Sequence, residues 1–182
     1  MSSGRPRSSS RSALSEAACE LFLERGFDAT SIGDIAARAG VSRSSFFNYF
    51  DSKDAILWSA LDDRIAELPA AMAARGTAAA LRGLGTGFRP DSLALALMHA
   101  DAMGLRADLE RAAAWRQARI ARAVADALIA AGSGAVAAAV AGGAHAAAVL
   151  TSIERWALAG PGRTPLSDEL ETALTIASVT LP

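Results

Sequence analysis

The feature that most constrains the fold is a pair of helix start signals separated by one glycine. Ser31 and Asp34 form an S-x-x-D capping pattern directly before apolar residues, which predicts that a short helix begins there. Gly40 predicts the end of that helix, because glycine adopts the left-handed backbone conformation at little cost. Ser42 then predicts the cap of a second helix. Residues 31–50 should therefore form two short helices joined by a tight turn, the layout of a helix-turn-helix.

The second helix carries side chains that can read DNA from the major groove. Arg43, Ser44 and Ser45 occupy its first turn, and side chains of these types donate hydrogen bonds to base edges and phosphates. An arginine that binds O6 and N7 of one guanine contributes roughly 1–3 kcal/mol of discrimination. The alternative for Arg43 is a phosphate contact, which would position the protein without reading the sequence.

The same segment shares a series of spaced positions with a known family. These positions are Leu21-Phe22, Gly26-Phe27, Ala29-Thr30, Asp34-Ile35-Ala36, Ala39-Gly40-Val41-Ser42, the aromatic run Phe46 to Phe50, and Ser52-Lys53. With them, residues 8–68 resemble the DNA-binding domain of the TetR family of bacterial transcription regulators. The resemblance implies that some residues hold the sugar-phosphate backbone, namely Thr30, Ser31, Asn48, Tyr49 and Lys53. With the helix starts included, the candidate DNA-binding residues are Thr30, Ser31, Ser42, Arg43, Ser44, Ser45, Phe47, Asn48, Tyr49 and Lys53.

The aromatic run divides into core and surface positions. Phe46 and Phe50 lie four residues apart, which predicts that both pack in the core. There they would hold the second helix of the helix-turn-helix, the recognition helix, on the leading helix that contains Leu21 and Phe22. Phe47 matches a position that is often tyrosine in the family. Because Phe47 has no hydroxyl, it can only pack against a sugar or a thymine methyl group.

Any DNA contact must come from a local basic patch, because the formal net charge of −1 excludes a generally basic protein. Residues 1–11 supply such a patch with Arg5, Arg7 and Arg11 and no acidic residue. The Ser, Gly and Pro residues among them disfavour order, so residues 1–7 are predicted to form a basic, disordered arm. This arm can be a solvated, disordered end, or it can touch DNA phosphates or a minor groove. The single cysteine, Cys19, excludes an intrachain disulfide and suits a reducing cytoplasm.

The rest of the chain, residues 69–182, is expected to form a second helical domain and to make the protein all-α. No stretch alternates apolar and polar residues as a half-buried strand would. Ser52 predicts the cap of a fourth helix, and Pro69 predicts that this helix ends or kinks near Leu68. Gly76 and the run 83–90 predict a loop, after which Asp91 predicts the start of a helix that Gly104 breaks. One helix or two are then predicted over 105–131, followed by helices at 135–158 and 167–179.

The uncharged segment 133–153 is about as long as a membrane span. Its residues are mostly Ala and Gly, which insert weakly into a bilayer but let helices approach closely, so we expect a protein interface. The resemblance implies that helices 135–158 and 167–179 pair with those of a second copy. The alternative is that they complete the core of one monomer. A twofold pair would read two half-sites roughly 34–36 Å apart.

The resemblance also implies a small-molecule effector pocket between residues 70 and 160. The side chains there that could build an apolar cavity with polar contacts are Met98, His99, Met103, Trp115, Gln117, Arg119 and Trp156. The alternative is that the Met and Trp residues are ordinary core and that Arg119 lies on a solvated face.

The sequence thus predicts a helix-turn-helix DNA-binding domain followed by a helical ligand-binding and dimerisation domain. By resemblance, the protein is a cytoplasmic repressor that binds a palindromic operator as a homodimer and is released by a small-molecule effector. The alternative is a helical ligand-binding or scaffolding protein without operator binding. No enzyme, metal or cofactor site is expected, because His99 and His145 lie far apart and no phosphate-binding loop is present.

Overall fold

The computed structural model of the protein describes residues 7–89, 91–160 and 164–180. All regular elements in these ranges are α-helices, which confirms the all-α fold class. The predicted basic arm, residues 1–7, lies outside the described residues except for Arg7, where the first helix begins. The helices are α1 (Arg7–Arg25), α2 (Ile32–Arg38), α3 (Arg43–Phe47), α4 (Ala55–Arg75), α5 (Thr77–Gly83), α6 (Asp91–Met98), α7 (Arg106–Ala130), α8 (Ala135–Leu158) and α9 (Leu166–Thr180).

The described chain divides into two compact units. The first unit contains residues 7–59 and 91–109, and the second contains residues 60–89 and 110–180. This division differs from the boundary drawn from the sequence at residue 68, because α6 and the start of α7 pack with the first unit.

The first unit is built around the apolar faces of α1, α2 and α3. Phe46 and Phe50 are buried, as predicted, with ring centroids 5.6 Å apart. Phe22 and Phe27 meet edge to face at 5.1 Å, the geometry that aromatic rings prefer. The other buried side chains of this core include Leu14, Leu21, Ile35, Ile56 and Leu57.

The only cysteine in the sequence lies inside the first unit. The Cys19 thiol donates a hydrogen bond to the carbonyl oxygen of Ser92 on α6 at 3.6 Å. Burial, with a smaller contribution from the charge of Glu20, raises the pKa of the Cys19 thiol to about 12. The thiol therefore stays protonated near neutral pH and is a poor nucleophile.

Of the two predicted outcomes near Leu68, an end of the fourth helix is wrong, whereas a kink there stays a prediction. Helix α4 continues through Pro69 to Arg75. Leu68 and Met72 are buried on either side of the proline, whereas Pro69 itself faces solvent. Packing of the continuing apolar face therefore outweighs the cost of a proline in a helix interior, about 3 kcal/mol for the lost hydrogen bond and the ring clash together.

The predicted loop between residues 76 and 90 contains a helix that the sequence did not indicate. Residues 77–83 form α5, which begins after Gly76 in a left-handed conformation at φ 81°. The guanidinium of Arg64 donates hydrogen bonds to the carbonyl oxygens of Gly83, Leu84 and Thr86 at the end of this helix. An arginine from α4 thus supplies the missing cap at the α5 C-terminus.

The bounds of α7, α8 and α9 agree closely with those predicted from the sequence. The predicted segments 135–158 and 167–179 correspond to α8 and α9, and α7 is a single helix over Arg106–Ala130. Helix α8 packs lengthwise on α9. Gly142 lies where α8 crosses α7, and a Cβ atom there would collide with the carbonyl oxygen of Ala121. Glycine therefore allows the two backbones to approach at this crossing.

Candidate nucleic-acid interface

The start of α2 is fixed by a capping box. The Ser31 hydroxyl accepts a hydrogen bond from the Asp34 backbone N–H at 3.1 Å, and the Asp34 carboxylate accepts one from the Ser31 N–H at 3.0 Å. The carboxylate also accepts from the Ser31 hydroxyl, and these bonds hold the pKa of Asp34 below its usual range. The predicted S-x-x-D signal is confirmed.

The turn after α2 is a Schellman motif. Gly40 has φ 69°, and its N–H donates to the Ala37 carbonyl at 3.1 Å. The N–H of Val41 donates to the Ala36 carbonyl at 2.9 Å. These two bonds satisfy carbonyls that the helix end would leave open, and they require a left-handed residue at position 40. The glycine turn predicted from the sequence is confirmed.

The recognition helix α3 exposes one side to solvent and packs its opposite side into the core. Ser42 caps it by accepting a hydrogen bond from the Ser45 N–H at 3.1 Å. Phe46 is fully buried beneath the helix. The exposed side chains on and directly after α3 are Arg43, Ser44, Phe47 and Asn48, and Phe47 has 49% of its surface exposed.

Other predicted DNA-binding residues lie beside this face. Ser31 and Ser42, at the helix starts, are exposed, whereas Ser45 and Tyr49 are half-buried. The Ser42 hydroxyl lies 2.8 Å from that of Ser44 and 2.7 Å from that of Ser45. These three hydroxyls form one cluster at the front of the helix that can donate to or accept from a neighbouring group.

Thr30 points inward and holds the turn between α1 and α2. Its side chain is buried, and its hydroxyl lies 2.8 Å from the Gly26 carbonyl oxygen and 3.3 Å from that of Leu21. A phosphate contact by this hydroxyl, expected from the resemblance, does not fit its position. Threonine here closes the end of α1, whose last carbonyls need donors.

Lys53, in the segment before α4, also stabilises the turn between α1 and α2. Its ammonium group donates hydrogen bonds to the carbonyl oxygens of Phe27 at 2.6 Å and Thr30 at 3.1 Å. The Nζ atom also lies 3.9 Å from the centroid of the Phe27 ring, a cation–π contact. An ammonium has three donors, so one remains for another acceptor such as a phosphate.

An ion-pair cluster that the sequence reasoning missed ties α1 to α2. The Arg38 guanidinium donates to the Glu20 carboxylate at 3.0 Å and to the Glu24 carboxylate at 2.8 and 2.9 Å. The hydrogen bond from Arg38 lowers the pKa of Glu24. The spacing of two glutamates four residues apart on α1 is the signal that could have indicated a basic partner.

The predicted effector residues are divided between the two units. Met98, His99 and Met103 belong to the first unit, and of these three only Met103 is buried. In the second unit, Trp156 is buried with its ring centroid 6.0 Å from that of Phe88, and Gln117 is half-buried. Trp115 and Arg119 line one groove, between α4 and α7. A pocket that contains all seven residues stays a prediction.

The described residues contain no group of three or more His, Cys, Asp or Glu side chains arranged to hold a metal ion. Helix α8 is long and apolar enough to cross a membrane, with 33% of its most hydrophobic window buried in the protein. Length and composition alone also fit a packed helix of a soluble protein.

A glycine turn that joins a capped helix to a second helix with an exposed face is the geometry of a helix-turn-helix. Residues 14–60 match the family model described as bacterial regulatory proteins, tetR family.

Curated relatives share the same region. The putative mycofactocin biosynthesis transcriptional regulator MftR of Mycobacterium tuberculosis is 42% identical over 65 residues, which are 36% of this chain and 33% of the relative. The HTH-type transcriptional repressor KstR2 of Rhodococcus jostii is 44% identical over 61 residues, 31% of this chain and 30% of the relative. The matched region thus spans about a third of these relatives' length.

Solved structures resemble the chain over nearly its full length. The TetR-family repressor FadR of Thermus thermophilus, solved in complex with lauroyl-CoA, has a TM-score of 0.50 and 29% identity, covering 92% of this chain and 93% of FadR. NalD, the secondary repressor of the MexAB-OprM efflux pump in Pseudomonas aeruginosa, has a TM-score of 0.57 and 21% identity. It covers 97% of this chain and 98% of NalD, and at this identity the likeness shows the fold alone.

Proposed function

We propose that this protein is a transcriptional repressor that binds a palindromic operator as a homodimer and is released by a small-molecule effector. The observation that carries the proposal is the exposed face of α3, with Arg43 at its front and Phe46 buried beneath it. The names of KstR2 and FadR as repressors support regulation by repression. A regulator of this kind acts in the cytoplasm, where the DNA is.

Base reading and backbone binding are assigned to different residues. Arg43, Ser44 and Ser45 read base edges, and Phe47 packs against a sugar or a thymine methyl group. Ser31, Ser42, Asn48, Tyr49 and the third donor of Lys53 hold phosphates. The burial of Thr30 removes its side chain from this set.

Dimerisation is supported by apolar side chains that α8 and α9 leave exposed. Val136 and Val140 on α8 have 80% and 51% of their surface exposed, and Ile176 on α9 has 62% exposed. Val136 and Val140 lie four residues apart and therefore on one face of the helix. A second copy packed on this face would bury them and pair two recognition helices.

The effector part of the proposal is a population shift. An effector that binds better to a conformation with wrongly spaced recognition helices draws the dimer away from DNA. A hundredfold preference for that conformation corresponds to about 2.7 kcal/mol of coupling. The groove that contains Trp115 and Arg119 is the candidate site in the second unit.

Binding titrations on DNA from upstream of the gene, with operator variants at several salt concentrations, test the proposal. We expect Arg43→Ala to reduce the discrimination between bases by about 1–3 kcal/mol at one or two operator positions. At the other positions, discrimination should change little. Arg82→Ala is the control, because it removes an exposed arginine from the second unit. If the wild type shows no salt-dependent DNA binding, the protein is a helical ligand-binding or scaffolding protein instead.

A further inference from the structure

The groove between α4 and α7 in the second unit exposes an aromatic side chain over an apolar floor. Trp115 has 56% of its surface exposed, whereas Trp58 and Trp156 are buried. The groove is open to solvent and has a volume of about 530 Å³, within the range of roughly 300–1,000 Å³ typical of ligand pockets. Its apolar lining consists of Ile65, Ala66, Pro69, Ala118 and Ala123.

One carboxylate beside the groove is shared by two guanidinium groups. Asp62 accepts a hydrogen bond from Arg116 at 2.5 Å through one oxygen and from Arg119 at 3.0 Å through the other. The Arg116 side chain is only 7% exposed and also donates to the Ala112 carbonyl. The Arg119 side chain is 32% exposed and lines the groove. Arg119 is therefore the guanidinium that an incoming anion can reach.

The charge at the rim of the groove is balanced. Arg122 and Asp126 both line it and form an ion pair at 3.5 Å, with side chains 82% and 64% exposed. Such an exposed pair attracts ligands of neither sign strongly. The Arg119 guanidinium also lies 4.6 Å from the centroid of the Trp115 ring, so cation and apolar surface are adjacent.

We propose that this groove binds a small organic monoanion, with its carboxylate on Arg119 and its apolar body against Trp115 and Pro69. The planar guanidinium fork can bind a carboxylate through two parallel hydrogen bonds. Arg122, the other arginine that lines the groove, is paired with Asp126, so the groove offers one carboxylate site, at Arg119, and a dianion would bring a second charge onto an apolar floor. The inference rests on the proposed function, since it gives the chemical class of the effector.

Binding at Arg119 would also exchange an ion pair that joins α4 to α7, that of Arg119 with Asp62. When the ligand takes Arg119, Asp62 keeps its bond to Arg116, so no buried charge loses its partner. Helix α4 starts at Ala55 in the first unit, so a change in its contacts with α7 has a covalent route to the DNA-binding helices.

Titrations of the full chain without DNA test the site. The probes are benzoate, hexanoate and decanoate, each beside its uncharged primary amide, followed by tryptophan emission and by calorimetry. Trp115 is the exposed tryptophan, so ligand in the groove should change its emission. We expect at least one carboxylate to bind saturably and its amide to bind about tenfold more weakly, a difference of about 1.4 kcal/mol.

Variants separate Arg119 from a general charge effect. Arg119→Met should weaken carboxylate binding about tenfold, and Arg119→Lys should weaken it less because the charge is kept without the planar fork. Arg82→Met is the matched control, since Arg82 is also a half-exposed arginine paired with a carboxylate, that of Glu171. It should bind as the wild type does.

Three results overturn the inference: no carboxylate binds, acid and amide bind alike, or Arg119→Met and Arg82→Met lose the same affinity. A gel shift on the upstream DNA without ligand distinguishes this failure from failure of the proposed function. A chain that binds DNA but no carboxylate disproves only the site. A chain that binds carboxylates but no DNA disproves the proposed function as a transcriptional repressor.

Discussion

At the scale of single residues, the direction of a side chain decides its role. Thr30 and Lys53 match family positions that commonly contact the DNA backbone. In the structure, the Thr30 hydroxyl and two donors of the Lys53 ammonium are used on carbonyls at the turn between α1 and α2. Residue type identifies what a group can bind, but neighbouring carbonyls decide what it does bind.

Lys53→Met should lower the free energy of unfolding by about 1–2 kcal/mol, because two charge-assisted hydrogen bonds to turn carbonyls are lost. DNA binding should weaken on all sequences alike, since the turn positions Ser31 at the start of α2. Urea unfolding followed by circular dichroism measures the first effect, and binding titrations measure the second.

Arg43→Met is the control for this prediction, because its side chain is exposed on α3. Its stability should match the wild type within about 0.5 kcal/mol. If Lys53→Met is as stable as the wild type but flattens the salt dependence of DNA binding, the ammonium acts at a phosphate and not on the turn.

At the scale of helices, local signals were predictable and long-range ones were not. The capping box at Ser31, the Gly40 turn and the Ser42 cap depend on atoms within a few residues, and each was predicted from the sequence. The continuation of α4 through Pro69 depends on packing along a whole helix face. The end of α5 depends on Arg64, which lies about 20 residues earlier.

In the candidate site, too, features that depend on nearby residues were easier to predict than features that depend on distant ones. The exposed face of α3 was predictable, because its position follows from the buried Phe46 and the helical period. The grouping of the effector residues stays a prediction, because it depends on which helices are neighbours. Trp115 and Arg119, four residues apart on α7, line one groove in the second unit.

The crossing of α7 and α8 gives the prediction at this scale. Gly142→Ala should lower the free energy of unfolding by about 1–3 kcal/mol, because the new Cβ would collide with the Ala121 carbonyl on α7 and must push two helix backbones apart. Chemical denaturation at several protein concentrations measures this, so that any contribution from dimerisation can be separated.

Gly143→Ala is the matched control on the same helix. A Cβ there meets no atom of the chain within 4 Å, so the change should stabilise the helix by about 0.5–1 kcal/mol. Equal destabilisation by both substitutions would show that α7 and α8 do not cross closely at Gly142.

At the scale of the whole molecule, DNA affinity should depend on the association of two chains. One recognition helix contacts few base pairs, so a monomer that carries a sound helix-turn-helix still binds an operator weakly. Linking two such helices raises the affinity without any new contact to DNA, because binding of the second half-site becomes intramolecular.

Val140→Glu tests this dependence. A carboxylate at a half-exposed position on α8 would be buried without a partner in the proposed dimer, and an unpaired buried charge is strongly unfavourable. We expect the wild type to sediment as a dimer at micromolar concentration, and Val140→Glu as a monomer with an unchanged circular dichroism spectrum. Leu23→Glu, an exposed apolar position on α1, should remain dimeric.

DNA-binding measurements then distinguish loss of dimerisation from loss of base recognition. Val140→Glu should bind a full palindrome no more tightly than a single half-site, whereas the wild type should prefer the palindrome strongly. Its α3 is unchanged, so the same base substitutions should still weaken its half-site binding. If Val140→Glu remains a dimer, the exposed faces of α8 and α9 are not the interface. A variant that becomes monomeric yet keeps its preference for the palindrome would show that pairing through this face does not supply operator affinity.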